Sequence, residues 1–364
     1  MAQAFSVDPD ITLARTLPSE FYLDPGVFAS VRERVFARTW QWLGDLADVA
    51  TPGSLSPRVL APGLLDQPLL LARDGAGTLR ALSNVCTHRG HPLVAAPCRG
   101  EAIRCPYHSR RFDLSGRMTF MPGFEGAQNF PAATDHLPQP PFGESFGHGW
   151  AALAPVAALD EFVGAVLRRL HWLPIARFVH DPSRNRDFTF QAHWALYVEN
   201  YLEGLHIPFL HPALNQTLQW RDYGYELQRY GNLQLALADE TQLAFAAAPA
   251  GSPDHGKRVA AWYFWIFPNL MLNFYPWGLS VNLVQPLAPD LTRVSFRAYV
   301  HDASLLDRGA GGALDQVEME DEAAVEAVQR GLRSRLYRDG RYAPQHERGV
   351  HQFHALLAQF LGRP

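Results

Sequence analysis

Two short segments constrain this chain more than any others: Cys86-Thr87-His88 and, after sixteen intervening residues, Cys105-Pro106-Tyr107-His108. Each offers one thiol and one imidazole. A [2Fe–2S] cluster in which two histidines replace two cysteines on one iron needs that donor set from two loops. Exchanging thiolate for neutral imidazole removes negative charge and raises the potential to roughly −150 to +300 mV. A Cys2His2 zinc site is the competing reading. Zinc modules usually pair like residues and carry the histidines on a helix. Here both pairs are mixed, and Gly90, Pro92, Pro97 and Gly100 mark the stretch between them as loop. The order favours a cluster, and with it electron handling. Cys98 is the third and last cysteine, expected to be a small loop or core residue. Three cysteines in so long a chain make no disulfide framework.

The loops sit in a β-rich region. At 364 residues the chain exceeds the usual single domain, so two domains are expected. Asp24-Pro25 followed by Val27, Phe28, Val31, Val35, Phe36 and Trp40 predicts a helix over 25–42. From about 44 to 155, short apolar runs alternate with Gly and Pro turns, as at Asp74-Gly75-Ala76-Gly77. Beyond 155 the pattern shifts. Leu159–Leu170 reads as an amphipathic helix, Phe188–Val198 as a strand leading into a helix over 199–206. Long alternating runs at 259–267, 270–275, 279–285 and 292–301 read as antiparallel strands, and helices are expected at 315–333 and 349–361. The second part is therefore α+β, an antiparallel sheet with helices on one side.

A second metal signal lies at Glu203-Gly204-Leu205-His206-Ile207-Pro208-Phe209-Leu210-His211-Pro212. Non-heme iron that activates O2 takes two imidazoles and one carboxylate on one face, leaving positions open. His206 and His211 would diverge on a continuous helix, but Pro208 and Pro212 break it and let His211 turn back. Alone, the pair reads more readily as two core histidines in an aromatic-rich stretch. The run Glu318-Met319-Glu320-Asp321-Glu322 offers carboxylates, and spacing does not choose among them.

With these motifs in order, the whole chain resembles the α subunit of the Rieske non-heme iron oxygenases, the ring-hydroxylating dioxygenase family. The resemblance implies an N-terminal arm and helix (1–43), an all-β Rieske [2Fe–2S] domain (44–155) and a helix-grip, START-like catalytic domain (156–364). It implies cluster ligands Cys86, His88, Cys105 and His108, and a mononuclear Fe(II) held by His206, His211 and Asp321, the last matched through Asp321-x7-Gln329. Glu203 is similar to the family's acid that bridges a cluster histidine of one subunit to an iron-ligand histidine of its neighbour. Such a bridge implies a head-to-tail ring, most often a homotrimer. The chain departs from the family in three places. It has Glu203 where many members have Asp, and Asn200 one residue closer to the first iron histidine than in naphthalene-type enzymes. Ser109-Arg110 stands where many have Gly-Trp, so the aromatic cover over the cluster is expected to be missing.

The implied partners are O2, a small organic substrate and a separate reductase or ferredoxin. No strand followed by G-x-G-x-x-G suggests a nucleotide site, and Gly309-Ala310-Gly311-Gly312 reads as a flexible loop. Glu203 and its surrounding motif resemble the homotrimeric choline-, carnitine- and betaine-oxidising branch. A quaternary ammonium group suits an aromatic cage, with Asn200, Tyr263, Trp265, Phe274 and Trp277 as pocket candidates. Sheet core is the plainer reading of those aromatics. An aromatic-ring dioxygenase is the rival enzyme, and a bare Rieske electron carrier the rival without catalysis. A net charge of −4 gives no case for nucleic acid or anionic membrane. No apolar run reaches a membrane span and the first residues lack a signal-peptide pattern, so a cytoplasmic protein is expected.

Overall fold

The computed structural model describes residues 5–211, 224–311 and 314–362. Two compact units emerge: Ala37–Val156, and Met1–Phe36 together with Ala157–Pro364.

The smaller unit is all-β. Its strands are β1 (Gln41–Asp45), β2 (Ser54–Leu60), β3 (Gln67–Arg73), β4 (Leu79–Ser83), β5 (Cys98–Arg99), β6 (Ala102–Arg104), β7 (Arg111–Asp113), β8 (Met118–Phe120), β9 (Phe142–Ser145) and β10 (His148–Ala151). They form three antiparallel sheets, β1-β10-β9, β4-β3-β2-β5 and β6-β7-β8. The turn between β3 and β4 closes as its residues require. Asp74 accepts from the backbone N–H of Ala76 and Thr78, and Gly77 takes φ +87°. Leu55, Leu70, Leu82, Ile103 and Phe112 pack with Cys86 and Cys105, which roots both thiols in the core. Cys98 is exposed on β5, neither loop nor core.

The helix predicted over 25–42 is shorter. Helix α2 (Pro25–Arg34) follows α1 (Ser19–Leu23), and Asp24 caps it by accepting from Gly26 and Val27 N–H. It stops because the chain beyond has other partners. Phe36 packs edge-on against Trp194, and Gln41 and Trp42 join β1, paired with Ala151 and Trp150. The β unit thus begins at Ala37, ahead of the boundary expected at 44.

The larger unit holds α3 (Leu159–Leu170), α4 (Trp194–Tyr201), α5 (Ile207–Leu210), α6 (Leu314–Gly331) and α7 (Arg348–Gly362). Its strands are β11 (Val179–His180), β12 (Arg186–Phe190), β13 (Gly224–Gln228), β14 (Gly231–Leu237), β15 (Val259–Ile266), β16 (Leu270–Tyr275), β17 (Gly278–Ala288) and β18 (Leu291–Val300). The sheet order is β11-β18-β17-β16-β15-β14-β13, with β12 also on β18. Register sets Gln234 beside Tyr263, Tyr263 beside Asn273, Asn273 beside Ser280, and Asn282 beside Phe296. Because side chains alternate across a strand, these residues share one face.

Helices α4 and α6 are joined to each other: Gln329 accepts the His193 N–H at 2.9 Å, and Tyr197 donates to Glu318 at 2.7 Å. Helix α3 departs from the one-sided arrangement. Its Arg169 pairs with Asp254, which accepts from Trp262 Nε1, and Trp262 points away from the Tyr263 face. The helix expected over 199–206 starts earlier and ends at Tyr201, leaving Glu203–His206 as a turn.

Candidate metal centres

The two cluster loops are built alike. In each, an N–H four residues on donates to the cysteine carbonyl: Gly90 to Cys86 at 3.0 Å and Ser109 to Cys105 at 3.1 Å. The closing residue is left-handed in both, with φ +72° at Gly90 and +61° at Ser109. Glycine suits that conformation, which gives a physical reason for the family's glycine where this chain has Ser109. The loops bring His88 and His108 together with ring centroids 4.7 Å apart. The Nδ1 atoms of both rings are buried and have no hydrogen-bond partner, and Cys86 and Cys105 are buried free thiols. Burial pushes the Cys86 thiol up; the Cys105 thiol adds to this, and the Arg110 charge opposes it. Two orphaned nitrogens and two buried thiols are what a cluster with Cys2His2 ligation would satisfy.

The aromatic cover expected to be missing is present, supplied from further along the chain. Phe124 meets His88 edge-on at 5.4 Å, Phe130 lies 4.7 Å from Phe124, and the Arg110 guanidinium sits 5.5 Å from both phenyl centroids.

In the larger unit, His206, His211 and Asp321 each place one donor atom within 4.8 Å of the others. The chain after α4 achieves this. Glu203 caps the turn, accepting backbone N–H groups from Leu205 and His206, and its Oε1 lies 2.5 Å from His206 Nδ1. Pro208 then sits in the first turn of the single-turn helix α5, which His211 caps at its C-terminal end. Pro212 lies outside the described residues.

Asp321 Oδ1 stands 2.9 Å from His211 Nε2 and 3.6 Å from His206 Nε2, and accepts from Asn200 Nδ2 at 3.0 Å. The acidic run divides its tasks. Asp321 faces both Nε2 atoms, Glu320 takes His211 Nδ1 at 2.6 Å, and Glu318 holds Tyr197. Each imidazole is thus gripped at Nδ1 by a carboxylate, which leaves Nε2 for a metal. Burial works against charge on His211, but Asp321 and Glu320 outweigh it and hold its pKa above the ordinary value.

Beside the triad lies a cavity of about 140 Å³. Tyr197, Tyr201, Tyr263, Tyr275 and Phe296 give it aromatic walls, and Asn200, Gln234, Asn273 and Asn282 give it amides. Tyr263 and Tyr275 meet at 78° with centroids 5.9 Å apart. Of the sequence candidates, Asn200 and Tyr263 line the cavity. Trp265 shares the Tyr263 face but is filled against Phe353 of α7; Phe274 points to the reverse face and packs on Phe264; Trp277 stacks behind Tyr275 at 5.5 Å. Gly309–Gly311, read as flexible, forms a short 3-10 turn whose buried Ala310 joins the wall; Gly312 lies outside the described residues. Sequence reasoning missed the roles of Glu318, Glu320, Gln234, Asn273 and Asn282. The signal was present in Asn273 and Asn282, polar residues interrupting apolar strands.

Comparison with known proteins agrees with both kinds of cofactor. The profile of the Rieske [2Fe-2S] domain matches residues 39–131, and that of the ring hydroxylating alpha subunit catalytic domain matches 170–363. The chain belongs to the Rieske ring-hydroxylating oxygenase α-subunit family. It is a Rieske non-heme iron oxygenase whose cofactors are a [2Fe–2S] cluster and a mononuclear iron.

Among its relatives, choline monooxygenase of Arabidopsis thaliana is 30% identical, over 96% of this chain and 84% of that protein. The carnitine monooxygenase oxygenase subunit of Escherichia coli K12 is 29% identical, over 95% and 94%. The quaternary ammonium Rieske monooxygenase CntA superposes with a TM-score of 0.78 at 24% identity, over 98% of this chain and 99% of that one. Naphthalene 1,2-dioxygenase from Rhodococcus sp. superposes at 0.69 with 18% identity, over 96% and 95%. No described helix is long and apolar enough to cross a membrane.

Proposed function

We propose that this oxygenase hydroxylates, or oxidatively demethylates, a small quaternary ammonium compound. The observation that carries the reading is the charge of the cavity. Its described lining includes three carboxylates, Glu203, Glu318 and Asp321, and no lysine or arginine. Asp321 and Glu203 are taken up by the iron site, but Glu318 remains in the wall as a negative charge that favours a cation, and Tyr263 and Tyr275 add aromatic lining suited to it. A carboxylated aromatic ring would meet Glu318 with no lysine or arginine in the described lining to offset it, and an apolar ring would leave the amides unpaired. A cavity below the usual roughly 300–1,000 Å³ of ligand pockets suits a small head group. The relatives named for choline, carnitine and quaternary ammonium substrates point the same way.

We assign the cluster to Cys86, His88, Cys105 and His108, and the iron to His206, His211 and Asp321. When bound, these groups store single electrons and reduce O2. The overall change balances as R–H + O2 + two electrons + two protons giving R–OH + H2O. If the hydroxylated carbon bears the nitrogen, its C–N bond then breaks to give a carbonyl compound and an amine.

The protein's own residues orient and insulate. Glu203 and Glu320 fix the two imidazoles, Asn200 steadies Asp321, and the tyrosine walls seat the head group. Glu203 also suits an electron bridge to a cluster in a neighbouring subunit, an arrangement for which a homotrimer and a separate reductase or ferredoxin serve. Inter-subunit electron transfer is described for the structurally similar quaternary ammonium Rieske monooxygenase. We place the enzyme in the cytoplasm, where thiols stay reduced. The test is single turnover of chemically reduced protein with trimethylammonium compounds or aromatic acids, under O2, with products read by mass spectrometry. Oxygenated or demethylated ammonium products support the reading. Turnover of aromatic acids alone overturns it.

A further inference from the structure

Arg110 is the one charged side chain buried in residues 37–156, with 2% of its surface exposed. A guanidinium removed from water is costly unless its donors are used. Its Nη1 donates to Thr87 Oγ1 at 2.8 Å and to Asp135 Oδ1 at 3.2 Å, while Nε has no partner. Thr87 lies between Cys86 and His88, and Thr87 Oγ1 in turn donates to the Asp135 carbonyl. From the other side, the Arg110 carbonyl accepts the Cys105 N–H at 2.8 Å. Arg110 therefore touches the first ligand loop with its side chain and the second with its backbone. Phe124 and Phe130 shield it from solvent, and Phe124 also packs on His88.

The charge is only partly neutralised. Asp135 keeps a fifth of its side chain exposed and spends its other oxygen on the Ala132 N–H. The guanidinium is the buried, low-dielectric end of this ion pair, beside both ligand loops, whereas the carboxylate is the end that water screens. Reduction adds one electron, hence one negative charge, to whatever those loops hold. A buried cation stabilises the reduced form more than the oxidised one.

We propose that Arg110 is a positioning residue that sets the cluster's reduction potential, raising it by its buried charge, with Asp135 moderating the effect. The inference rests on the cluster assignment and is independent of the substrate. It makes the cluster easier to load from an electron donor and lessens its drive to pass the electron on.

The test uses the full-length, cluster-loaded protein and compares wild type with Arg110→Met, Arg110→Lys and Asp135→Asn. Midpoint potentials are read by mediated optical titration at one mildly acidic pH, with EPR and visible circular dichroism reporting an intact cluster. At a fixed ambient potential, Arg110→Met should lower the ratio of reduced to oxidised cluster about tenfold, a downward shift of about 59 mV for one electron. Arg110→Lys keeps the charge and loses the planar stack, so its potential stays near wild type while its melting temperature falls. Asp135→Asn should shift the potential upward. A purely structural role would not give opposite signs for the two partners. A wild-type potential in Arg110→Met overturns the proposal. If that variant loses its cluster, an unmoved or lowered potential in Asp135→Asn overturns it instead.

Discussion

Replacing Glu203 by glutamine should weaken iron retention far more than a near-isosteric change suggests. Three N–H groups converge on its two oxygens: His206 Nδ1 on Oε1 at 2.5 Å, and the backbone of Leu205 and His206 on Oε2. A carboxylate accepts all three. An amide has one accepting oxygen and turns its NH2 toward the remaining donors, so either flip leaves a donor facing a donor. The side chain is 13% exposed, so water repairs little of this. A hydrogen bond to a charged group contributes about 1.5–3 kcal/mol. A partner that fixes a metal-bound imidazole typically contributes about 10–100-fold in metal affinity. We expect Glu203→Gln to lose iron affinity within that range.

The assay is competition for Fe(II) against a chromophoric chelator on full-length, cluster-loaded protein, with cluster absorbance as control. Glu203→Asp keeps two accepting oxygens and should fall between glutamine and wild type. If Glu203 were a bridge alone, iron would stay fully bound and only electron transfer would slow. Wild-type iron affinity in Glu203→Gln would therefore refute the claim that this carboxylate holds His206.

Two further outcomes follow from other residues. Glu318→Gln removes the cavity carboxylate on Tyr197; by Coulomb's law at an effective dielectric near 20, a charge about 5 Å away is worth about 3 kcal/mol before solvent screening. Trimethylammonium binding, measured by calorimetry, should weaken about tenfold or more while a neutral tert-butyl isostere binds unchanged; equal losses for both would contradict a charge-reading role. His193, fully buried among Phe21, Tyr22 and Trp194, has its pKa pushed down to about 3 by burial. As pH falls from about 6.5 towards 3 the unfolded chain gains a proton that the folded one lacks, so stability drops by up to about 1.4 kcal/mol per pH unit. Denaturation of His193→Asn, which keeps a capping oxygen for Ala195, should show a shallower acid loss; identical slopes would rule out this source.

The parts of the molecule legible in the sequence are those written in short-range chemistry. Cys86, His88, Cys105 and His108 announced themselves by donor type and spacing, and the strands over 259–301 by alternation. Helices lost accuracy where tertiary partners took over. Trp42 belongs to a strand because Trp150 lies across from it, a pairing more than a hundred residues away. The acidic run was opaque for the same reason. Which of Glu318, Glu320 and Asp321 meets Tyr197, His211 Nδ1 or the two Nε2 atoms depends on how α6 is set against α4, and Gln329 on the His193 N–H helps fix that. Of the four aromatic candidates only Tyr263 lines the cavity, and Phe274 does not because a strand's two faces cannot be assigned to cavity and reverse side from alternation alone. Phe274 and Tyr275 are neighbours in sequence and point oppositely.

The central claim is that a mononuclear iron sits on His206, His211 and Asp321, apart from the cluster. Its most direct measurement is the EPR spectrum of the nitric oxide adduct, recorded on iron-loaded wild type and on Asp321→Ala. The account predicts an iron–nitrosyl signal in wild type that is lost in the variant, with the reduced-cluster signal intact in both. A nitrosyl signal that survives Asp321→Ala at wild-type intensity would contradict it.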